Sequence, residues 1–526
     1  MTTRDDYVLE TSMNNMTIDN NFSSKQYHTV QDNNNSTYSN SQIYYQLSNI
    51  YNLNKYYDWS NAILIIPITI SIESSNQPLV ATSRLVALKN NLHLINSMVM
   101  SVNGKTIHQS TQNINEYFNF VKLTEITNNT LPYYDYLNFY PEDNYSLDTK
   151  YNFTFDTEGN GFVPLSVKNN MITFDSFTYK IDKLNKINTD YNTKYLKSPG
   201  QKSQYIDNID RINSPTSTKH NYEYMCYLKL SDFSDFFKQV GISKLFVDQL
   251  TLFLNLGSST YTFNGASRKI NTNCVETQRS FQYNTCPFYV DNQSDYLTAD
   301  ASNGHTIKFN ISVGNSMKRN SEIFIGGFVL DPTVENKFIT NNTRQFYFKD
   351  VYNTQTPTLE RGSQFNLKLN NSVINPLGIL IIPYLAPSHT GGKFITSSLE
   401  NVEPNLPSIG VSLKNLNITI AGAQLLLKSA DYNYEHFLAN LENGAINVMN
   451  GGYNLETSLL SLKKFNTNYK YYYFNCNNIA PQLNVAQNIE LFGFNDNNFN
   501  INLSIFIITN KMAEINKENG NIITMI

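Results

Sequence analysis

The chain has 526 residues, of which 40% are hydrophobic and 13% aromatic, and its formal net charge is -4. This length can bury the cores of two or three domains, and a mean hydropathy of -0.38 is ordinary for a globular protein, so the composition excludes a chain that is disordered throughout. The charge balance and the lack of a long basic run indicate no specific nucleic-acid binding.

Cysteine usage and the N-terminal sequence bear on the compartment. The four cysteines are Cys226, Cys274, Cys286 and Cys476. They are too sparse for a disulfide framework and form no CxxC pair, so we expect buried free thiols in a reducing compartment. The N-terminus lacks the apolar core of a signal peptide, and the longest apolar run, residues 62–72, is too short to span a bilayer. We therefore expect no membrane span and no secretion.

The N-terminal region changes character near residue 41. Residues 1–40 are polar and poor in aliphatic side chains, which predicts a flexible N-terminal arm. Short apolar runs typical of strands follow, among them QIYYQL, AILIIPITISI and LHLINSMVMSV. Asn103 and Gly104 separate VMSV from KTIH, and this dipeptide predicts a two-residue turn in a β-hairpin.

The middle of the chain is more polar. Residues from about 130 to 215 are rich in Tyr, Asn, Asp, Lys and Ser, which predicts a surface insertion. A short helix is predicted from Ser231 to Val240, because Phe233, Phe236, Phe237 and Val240 lie on one helical face. Strand-like segments then continue to a polar C-terminal tail, residues 511–526.

Short phrases recur in the same order in the two halves of the chain. AILIIP at 62–67 matches GILIIP at 378–383, and VALKN at 86–90 matches VSLKN at 411–415. An Asn, Glu and Phe cluster at 115–118 matches another at 433–437, and a weaker match joins YEYMC at 222–226 to YYFNC at 472–476. These matches predict two copies of one domain, of which the first carries extra material.

The strand-rich pattern, without βαβ alternation, predicts an all-β protein of Greek-key sandwiches with short flanking helices. The expected division is an arm over 1–40, a first sandwich over 41–265 with an insertion at about 130–215, a second sandwich over 266–510, and a tail over 511–526.

No motif for catalysis or cofactor binding is present in the sequence. The seven histidines are His28, His93, His108, His220, His305, His389 and His436. None of them stand at HxH, HxxH or HxxxH spacing, and GxSxG, P-loop and dinucleotide-binding patterns do not occur. We therefore predict no enzyme, and no catalytic, cofactor-binding or metal site.

Two carboxylates and one tryptophan are candidates for either a structural or a functional role. Glu116 and Glu435 occupy equivalent places in the two copies, which favours a repeated structural role over a glycosidase pair. Trp59, the only tryptophan, precedes the first AILIIP run. Anchoring in the core or at an interface is favoured for Trp59 over ligand stacking.

Several segments resemble double jelly-roll major capsid proteins of polinton-like viruses, virophages and related small eukaryotic double-stranded DNA viruses. They are YYDWSNAILIIPITI and VALKNNLHLINSMVMSVNGK in the first half, and NPLGILIIPYLA, GVSLKNLNITIAG and NYEHFL in the second. The resemblance covers roughly residues 42–126 and 365–510, and it implies that the two sandwiches, over 41–265 and 266–510, are tandem jelly rolls.

The resemblance implies a homotrimeric, pseudo-hexameric capsomer that tiles an icosahedral shell around a double-stranded DNA genome, with the insertion outward and the termini inward. It also implies contacts with neighbouring capsomers, with a penton protein and with minor capsid or cement proteins. The implied location is the virion, after assembly inside the host cell.

Two other functions stay open at this point. A carbohydrate-binding or adhesive β-sandwich would use the 36 Tyr and the abundant Asn for sugar stacking and hydrogen bonding. The missing signal peptide and the few cysteines weigh against it. A glycosidase that uses Glu116 or Glu435 is the third hypothesis.

Overall fold

A computed structural model provides the structure of the chain. The residues it describes are 22–35, 37–38, 42–47, 56–74, 83–86, 91–109, 111–126, 130–137, 171–173, 219–242, 247, 249–256, 260–264, 289–292, 306–314, 320–339, 342–369, 373–374, 376–385, 413–426, 429, 431–442, 460, 462, 465, 470–476, 486, 488–497 and 500–525.

Strands of the first half form three antiparallel sheets. They are β1 (Phe22–Gln31), β2 (Gln42–Gln46), β3 (Tyr56–Tyr57), β4 (Ile63–Ser74), β5 (Ser83–Val86), β6 (Ile95–Val102), β7 (Lys105–His108), β8 (Met171–Thr173), β9 (Lys219–Lys229), β10 (Leu250–Leu256), β11 (Thr260–Asn264), β12 (Tyr289–Asn292), β13 (Thr306–Val313) and β14 (Glu322–Leu330). One sheet has the order β1-β14-β4-β13-β11, with β9 also on β4 and β3 on β14. The others are β2-β10-β6-β7 and β12-β5-β8.

Strands of the second half form two more sheets. They are β15 (Thr343–Gln355), β16 (Gln364–Leu369), β17 (Pro376–Leu385), β18 (Leu413–Ile420), β19 (Ala423–Gln424), β20 (Tyr472–Asn475), β21 (Ile489–Asn495), β22 (Ile501–Asn516) and β23 (Ile522–Met525). One sheet has the order β15-β22-β17-β20, with β23 also on β22, and the other is β16-β21-β18-β19.

The two halves repeat one strand order. The series β1-β14-β4-β9 in the first half corresponds to β15-β22-β17-β20 in the second, and β2-β10-β6-β7 corresponds to β16-β21-β18-β19. Each half is therefore a jelly-roll sandwich, as the sequence predicts. We call β1-β14-β4-β9 and β15-β22-β17-β20 the first and second large sheets.

Among the described residues, the helices are short and flank the sandwiches. They are α1 (Ile114–Glu125), α2 (Leu230–Phe233), α3 (Asp235–Ile242), α4 (Pro332–Ile339) and α5 (Tyr434–Glu442), with 3-10 turns at Trp59–Asn61, Asn91–Leu94 and Leu131–Leu137. The helix predicted from Ser231 to Val240 is α2 and α3, separated at Ser234, which has extended backbone. The four predicted apolar side chains of these helices are buried.

The predicted hairpin at Asn103 and Gly104 joins β6 to β7. Both residues have positive φ, 47° and 76°, as a turn of this type requires. The second half has the same turn between β18 and β19, where Ala421 and Gly422 have φ values of 49° and 85°. This hairpin is therefore a shared structural landmark of the two halves.

The boundary between the halves lies later than the sequence indicates. β13 and β14 pair with β4, and β14 also pairs with β1, so residues 306–330 belong to the sheets of the first half. The expected boundary at 265/266 is wrong because these strands return to their sheet only after a long connection. Such non-local pairing leaves no local mark in the sequence.

Both predicted terminal extensions are partly strands. Residues 22–31 of the expected arm form β1, and residues 511–525 of the expected tail belong to the end of β22, a turn and β23. Asn103 Nδ2 donates to Asn521 Oδ1 at 2.6 Å, and Lys105 Nζ donates to the Ile523 carbonyl at 2.6 Å. The C-terminal strand is thus attached to the first half.

The matched phrases locate equivalent strands but not equivalent positions. In the first half Ser321, on the same face as Leu64 and Ile66, hydrogen-bonds to Tyr45 of the opposite sheet, so this face points into the sandwich. In the second half Tyr472, on the same face as Ile381, accepts a hydrogen bond from Leu413 N at 3.1 Å across the sandwich. The match of AILIIP to GILIIP is therefore shifted by one residue, which exchanges the two faces.

The other matched phrases differ in whether they occupy equivalent structural positions. Val86 ends β5, which pairs with β8 and β12, and Leu413 begins β18. The rest of VALKN and the first two residues of VSLKN lie outside the described residues, so this match stays a prediction. The Asn, Glu and Phe clusters begin α1 and α5, as an equivalent pair would. Cys226 lies opposite Ile66 on β4, but Cys476 donates its N–H to Leu377, so these two cysteines are not equivalent.

Candidate functional site

The two halves meet at a junction where α1 packs on the second large sheet. The ring centroid of Phe120 lies 5.2 Å from that of Tyr471 and 5.7 Å from that of Tyr473. Tyr117 lies 6.2 Å from Phe506 of β22 in the same measure. Aromatic pairs at these separations add about 0.5–1.5 kcal/mol each to the effect of area burial. The junction is therefore a packed aromatic contact.

Helix α3 extends this junction to the edge strand β15. Phe236 packs its ring centroid 5.5 Å from Phe348 and 5.7 Å from Phe346. The Asp235 carboxylate accepts a hydrogen bond of 2.8 Å from the Lys349 backbone N–H, a group on the open edge of the strand. The contact therefore satisfies the edge of β15 as well as burying its side chains.

A buried charged cluster, His108, Asp350 and Lys511, crosses the junction. His108 Nδ1 hydrogen-bonds with Asp350 Oδ1, and Lys511 Nζ lies 2.5 Å from Asp350 Oδ2. Burial opposes ionisation of Asp350, but His108 and Lys511 outweigh it and hold the pKa of Asp350 below its usual value. Burial likewise opposes charge on Lys511, yet Asp350 raises the pKa of Lys511. Asp350 and Lys511 thus stabilise each other as an ion pair.

A second buried ion pair holds α1 to α2 within the first half. Lys122 Nζ lies 3.1 Å from Asp232 and 3.7 Å from Glu125, and Tyr136 donates to Asp232 at 2.7 Å. Burial acts to lower the pKa of Lys122, but the two carboxylates outweigh it and raise that pKa. The ammonium group therefore stays charged and fixes the position of α1, the helix that contacts the second half.

A cavity of about 510 Å³ lies between the two charged clusters. Its lining includes Tyr117, Lys122, Asp232, Lys349 and Asp350. Within the described ranges, no group of three or more His, Cys, Asp or Glu is placed to hold a metal ion. Lys122, Asp232 and Asp350 at its wall are engaged in the ion pairs above, which gives these three side chains a structural role.

The predicted candidate residues do not come together in one environment. Glu116 and Glu435 each lie in the first turn of a helix, where a carboxylate favours the helix dipole, but Glu116 is 1% exposed and Glu435 is exposed. The equivalent positions therefore have different surroundings. Trp59 is buried, 5.7 Å from Phe237 between ring centroids, which confirms its predicted role as a core anchor.

The cysteines and histidines are described in part. Cys226 and Cys476 are buried free thiols, as predicted, and burial raises the pKa of Cys476. His436 Nδ1 hydrogen-bonds to Asn433 Oδ1 at 2.5 Å, and the ring of His28 lies 6.1 Å from that of Tyr57. The remaining predictions fall on Cys274, Cys286, His305 and His389, outside the described residues, and on His93 and His220, whose side chains are not described.

No sequence pattern predicts the junction role of His108. Its partner Asp350 lies 242 residues further along the chain, so no spacing pattern connects them. The insertion predicted at 130–215 is described only at residues 130–137 and 171–173, where the strand Met171–Thr173 pairs with β5.

The large sheets differ in how their outer faces, opposite to the sandwich cores, are covered. In the second half Leu380, Ile382, Tyr473 and Phe506 share the outer face and are fully buried, because α1 lies over it. In the first half the corresponding face carries a stripe of apolar side chains that are exposed or partly buried. We call this the outer stripe: Tyr27, Ile63, Ile65, Tyr227 and Phe324.

The outer stripe crosses four adjacent strands. Tyr27 is 60% exposed and Tyr227 is 37% exposed, and the ring of Tyr27 stacks on that of Phe324 at 5.1 Å. Glu322 and Lys229 lie on the same face, opposite Ile65 and Ile63 in the strand register, so charged side chains stand among the apolar ones. Among the described helices, none is long and apolar enough to cross a membrane.

No protein-family model and no curated protein matches the chain. Solved structures do match over nearly its whole length. A chain in the 3.5 Å cryo-EM structure of the Sputnik virophage is 12% identical with a TM-score of 0.54, and the match covers 98% of this chain and 90% of that one. The mavirus major capsid protein is 11% identical with a TM-score of 0.45, over 95% of this chain and 89% of that one.

The Faustovirus major capsid protein matches 96% of this chain and 92% of its own, at 8% identity and a TM-score of 0.45. At these identities, the likeness to the Sputnik chain carries information about fold alone. It agrees with the strand order repeated in the two halves. The chain therefore has the double jelly-roll fold found in viral major capsid proteins.

Proposed function

We propose that this chain is a structural major capsid protein that forms homotrimeric, pseudo-hexameric capsomers. The observation that carries the proposal is the unequal covering of two equivalent faces. Inside one chain, the first jelly roll covers the outer face of the second large sheet. The outer stripe is the same face of the first large sheet, and it stays exposed.

A head-to-tail contact that recurs between copies supports this proposal. If the second jelly roll of one copy covers the outer stripe of the next copy, every jelly roll meets its neighbours in one manner. Such a heterologous contact forms a closed ring when its rotation closes. Three chains then place six similar sandwiches around an axis, which makes a near-hexagonal block suited to tiling an icosahedral shell.

The further parts of the proposal follow from the shell. The capsomers contact one another and, at other sites of the shell, a penton protein and minor capsid or cement proteins. The shell encloses a double-stranded DNA genome without specific binding, in keeping with the net charge of -4. The insertion near residues 130–215 faces outward, the protein is located in the virion, and it has no enzymatic role.

Light scattering after size exclusion tests the proposal directly. The expected mass is three times that of the 60.2 kDa chain, with hexagonal outlines in negative-stain images of the same peak. A compact monomer at micromolar concentration would contradict the proposal. A glycan array would then test the carbohydrate-binding alternative.

A further inference from the structure

We propose that Lys349 is a site of covalent modification, at which its side-chain amine condenses with an aromatic aldehyde that enters the cavity between the two charged clusters. We call this cavity, of about 510 Å³, the junction cavity. The reaction takes place within one chain, so it does not depend on the proposed function.

The backbone of Lys349 is fixed on both edges of β15. On one edge Lys349 pairs with Asn510 of β22, and on the other its N–H donates to the Asp235 carboxylate at 2.8 Å. Lys349 lines the junction cavity, whose volume is in the range that accommodates a small organic molecule. A nucleophile on a fixed strand at the wall of such a cavity is held close to a bound molecule, which favours reaction.

The surroundings of Lys349 favour the neutral amine. Burial makes the largest contribution and lowers the pKa of Lys349, and the nearby cation of Lys238 acts in the same direction. The carboxylates of Asp235 and Glu125 oppose this effect without cancelling it. Amine nucleophiles of proteins are activated in these two ways, by desolvation and by a second cation, because both raise the share of unprotonated nitrogen.

The wall of the junction cavity favours an aromatic aldehyde over an aliphatic one. Tyr117, Tyr134 and Phe348 line the cavity, and Tyr134 is only partly buried. Rings of this kind contact a flat aromatic molecule by offset stacking or edge-to-face packing. The cavity lining also includes Ser234, so hydroxyl groups that donate to a carbonyl oxygen are present at the same wall.

The condensation balances without a further reactant. The electron pair of Lys349 Nζ forms a bond to the carbonyl carbon, and a proton passes from the nitrogen to the carbonyl oxygen, which gives a carbinolamine. The hydroxyl group then leaves with a second proton from the nitrogen as water, and the C=N bond of an imine forms. Addition of water reverses the reaction, so the measurement needs a trap for the imine.

The first experiment treats the full-length protein with benzaldehyde and sodium cyanoborohydride, which transfers a hydride to the imine and leaves a stable secondary amine. Mass spectrometry of peptides from a protease that does not cut at lysine locates the benzyl group. Near neutral pH we expect Lys349 to react several-fold faster than Lys368 of β16, whose side chain is 66% exposed. Equal or faster labelling of Lys368 would overturn the proposal.

The pH dependence of labelling tests the charges around Lys349. The midpoint of its pH–rate profile should lie below about 10.4, the usual pKa of a lysine. Lys238→Gln removes the repelling cation and should raise this midpoint. Lys414→Gln, at a lysine that is 44% exposed and outside the cavity lining, is the control and should leave it unchanged. Near-UV circular dichroism confirms that both variants are folded, and an equal midpoint in the two would contradict the assigned surroundings.

A polymer-bound aldehyde tests whether the reactant must enter the junction cavity. The aldehyde groups of oxidised dextran are carried on a chain too large for the cavity, and they react with the same reducing agent present. We expect conjugation at the exposed Lys368 and none at Lys349. Conjugation of dextran to Lys349 would show that this amine reacts at the open surface, and would contradict a site within the cavity.

Discussion

The two large sheets have the same strand order, but their outer faces are covered differently. Leu380, Ile382 and Phe506 of the second half are fully buried under α1, whereas Ile63 and Ile65 of the first half are partly exposed. The covered face is apolar, whereas the first outer face also carries the charged residues Glu322 and Lys229. The difference teaches that equivalent strands of this fold take different side chains when a neighbouring jelly roll of the same chain covers one face and not the other.

Removal of the Phe120 ring from the junction should cause the largest loss of stability and so tests the covered face. Phe120→Ala should lower the free energy of unfolding by about 3–5 kcal/mol, because it leaves a cavity against Tyr471 and Tyr473. Urea titration followed by fluorescence of Trp59 measures the loss. Tyr133→Ala, at a side chain that is 79% exposed, is the control and should change the value by less than about 0.5 kcal/mol. Equal losses would contradict a packed junction.

Neutralisation of the Asp350 carboxylate should cause the next largest loss of unfolding free energy. Asp350→Asn keeps the shape but leaves His108 and Lys511 without their charged partner, and we expect a loss of about 3 kcal/mol in the same titration. Glu490→Gln, which removes a surface partner of Lys368, should cost less than about 1 kcal/mol. A similar cost for both variants would place the Asp350 cluster in solvent.

The difference in unfolding free energy between wild type and Asp350→Asn should depend on pH, because the pKa of Asp350 is lowered in the folded protein. A carboxyl group whose pKa is lower when folded contributes its full stabilisation above the unfolded pKa of about 3.9. The contribution is lost as pH falls through the lower folded value. The gap in unfolding free energy between wild type and Asp350→Asn should therefore be constant near neutral pH and shrink below about pH 4. A gap that grows on acidification would reverse the assigned sign.

Gly378, which begins GILIIP on the covered face, should give a smaller loss of stability when it is substituted. A Cβ added at Gly378 would lie 2.5 Å from Tyr473 Oη, and the Tyr473 side chain is fully buried. Gly378→Ala should therefore destabilise the protein by about 1–3 kcal/mol. A stabilising Gly378→Ala, measured by urea titration, would contradict this packing.

The smallest effect is expected on the uncovered face. Tyr27→Ser removes an exposed side chain and should change the unfolding free energy of the dissociated chain by less than about 0.5 kcal/mol. Dilution below the association range before the urea titration isolates this value. A loss as large as that of Phe120→Ala would show that Tyr27 already has a partner within one chain.

Local chemistry explains which features the sequence predicts correctly. Asn103 and Gly104 specify a turn by their own backbone preferences, and the apolar spacing around Phe236 and Phe237 specifies a helical face. Trp59 is large and apolar, so its burial follows from area alone. Each of these predictions uses residues that are close in sequence.

The features that the sequence misses depend on distant partners. The alternation that normally tells inside from outside is absent at Ile63 to Ile66, since both faces of β4 are apolar, and the hexapeptide match therefore slips by one residue. The Asp350 cluster unites residues from three strands of two halves. The outer stripe has one sequence signal, an unbroken apolar run in a strand that has only one sandwich core to face.

The pairing of β14 determines when the first jelly roll can fold during synthesis. Glu322–Leu330 lies between β1 and β4, so Phe22–Gln31 has no partner strand for some 300 residues of translation. Until Leu330 leaves the ribosome, β1 and the part of the β4 edge that pairs with β14 are open to other nascent chains on the same messenger. The place of β14 in the sheet thus makes the synthesis of this strand the step at which a growing chain is either completed or lost to aggregation.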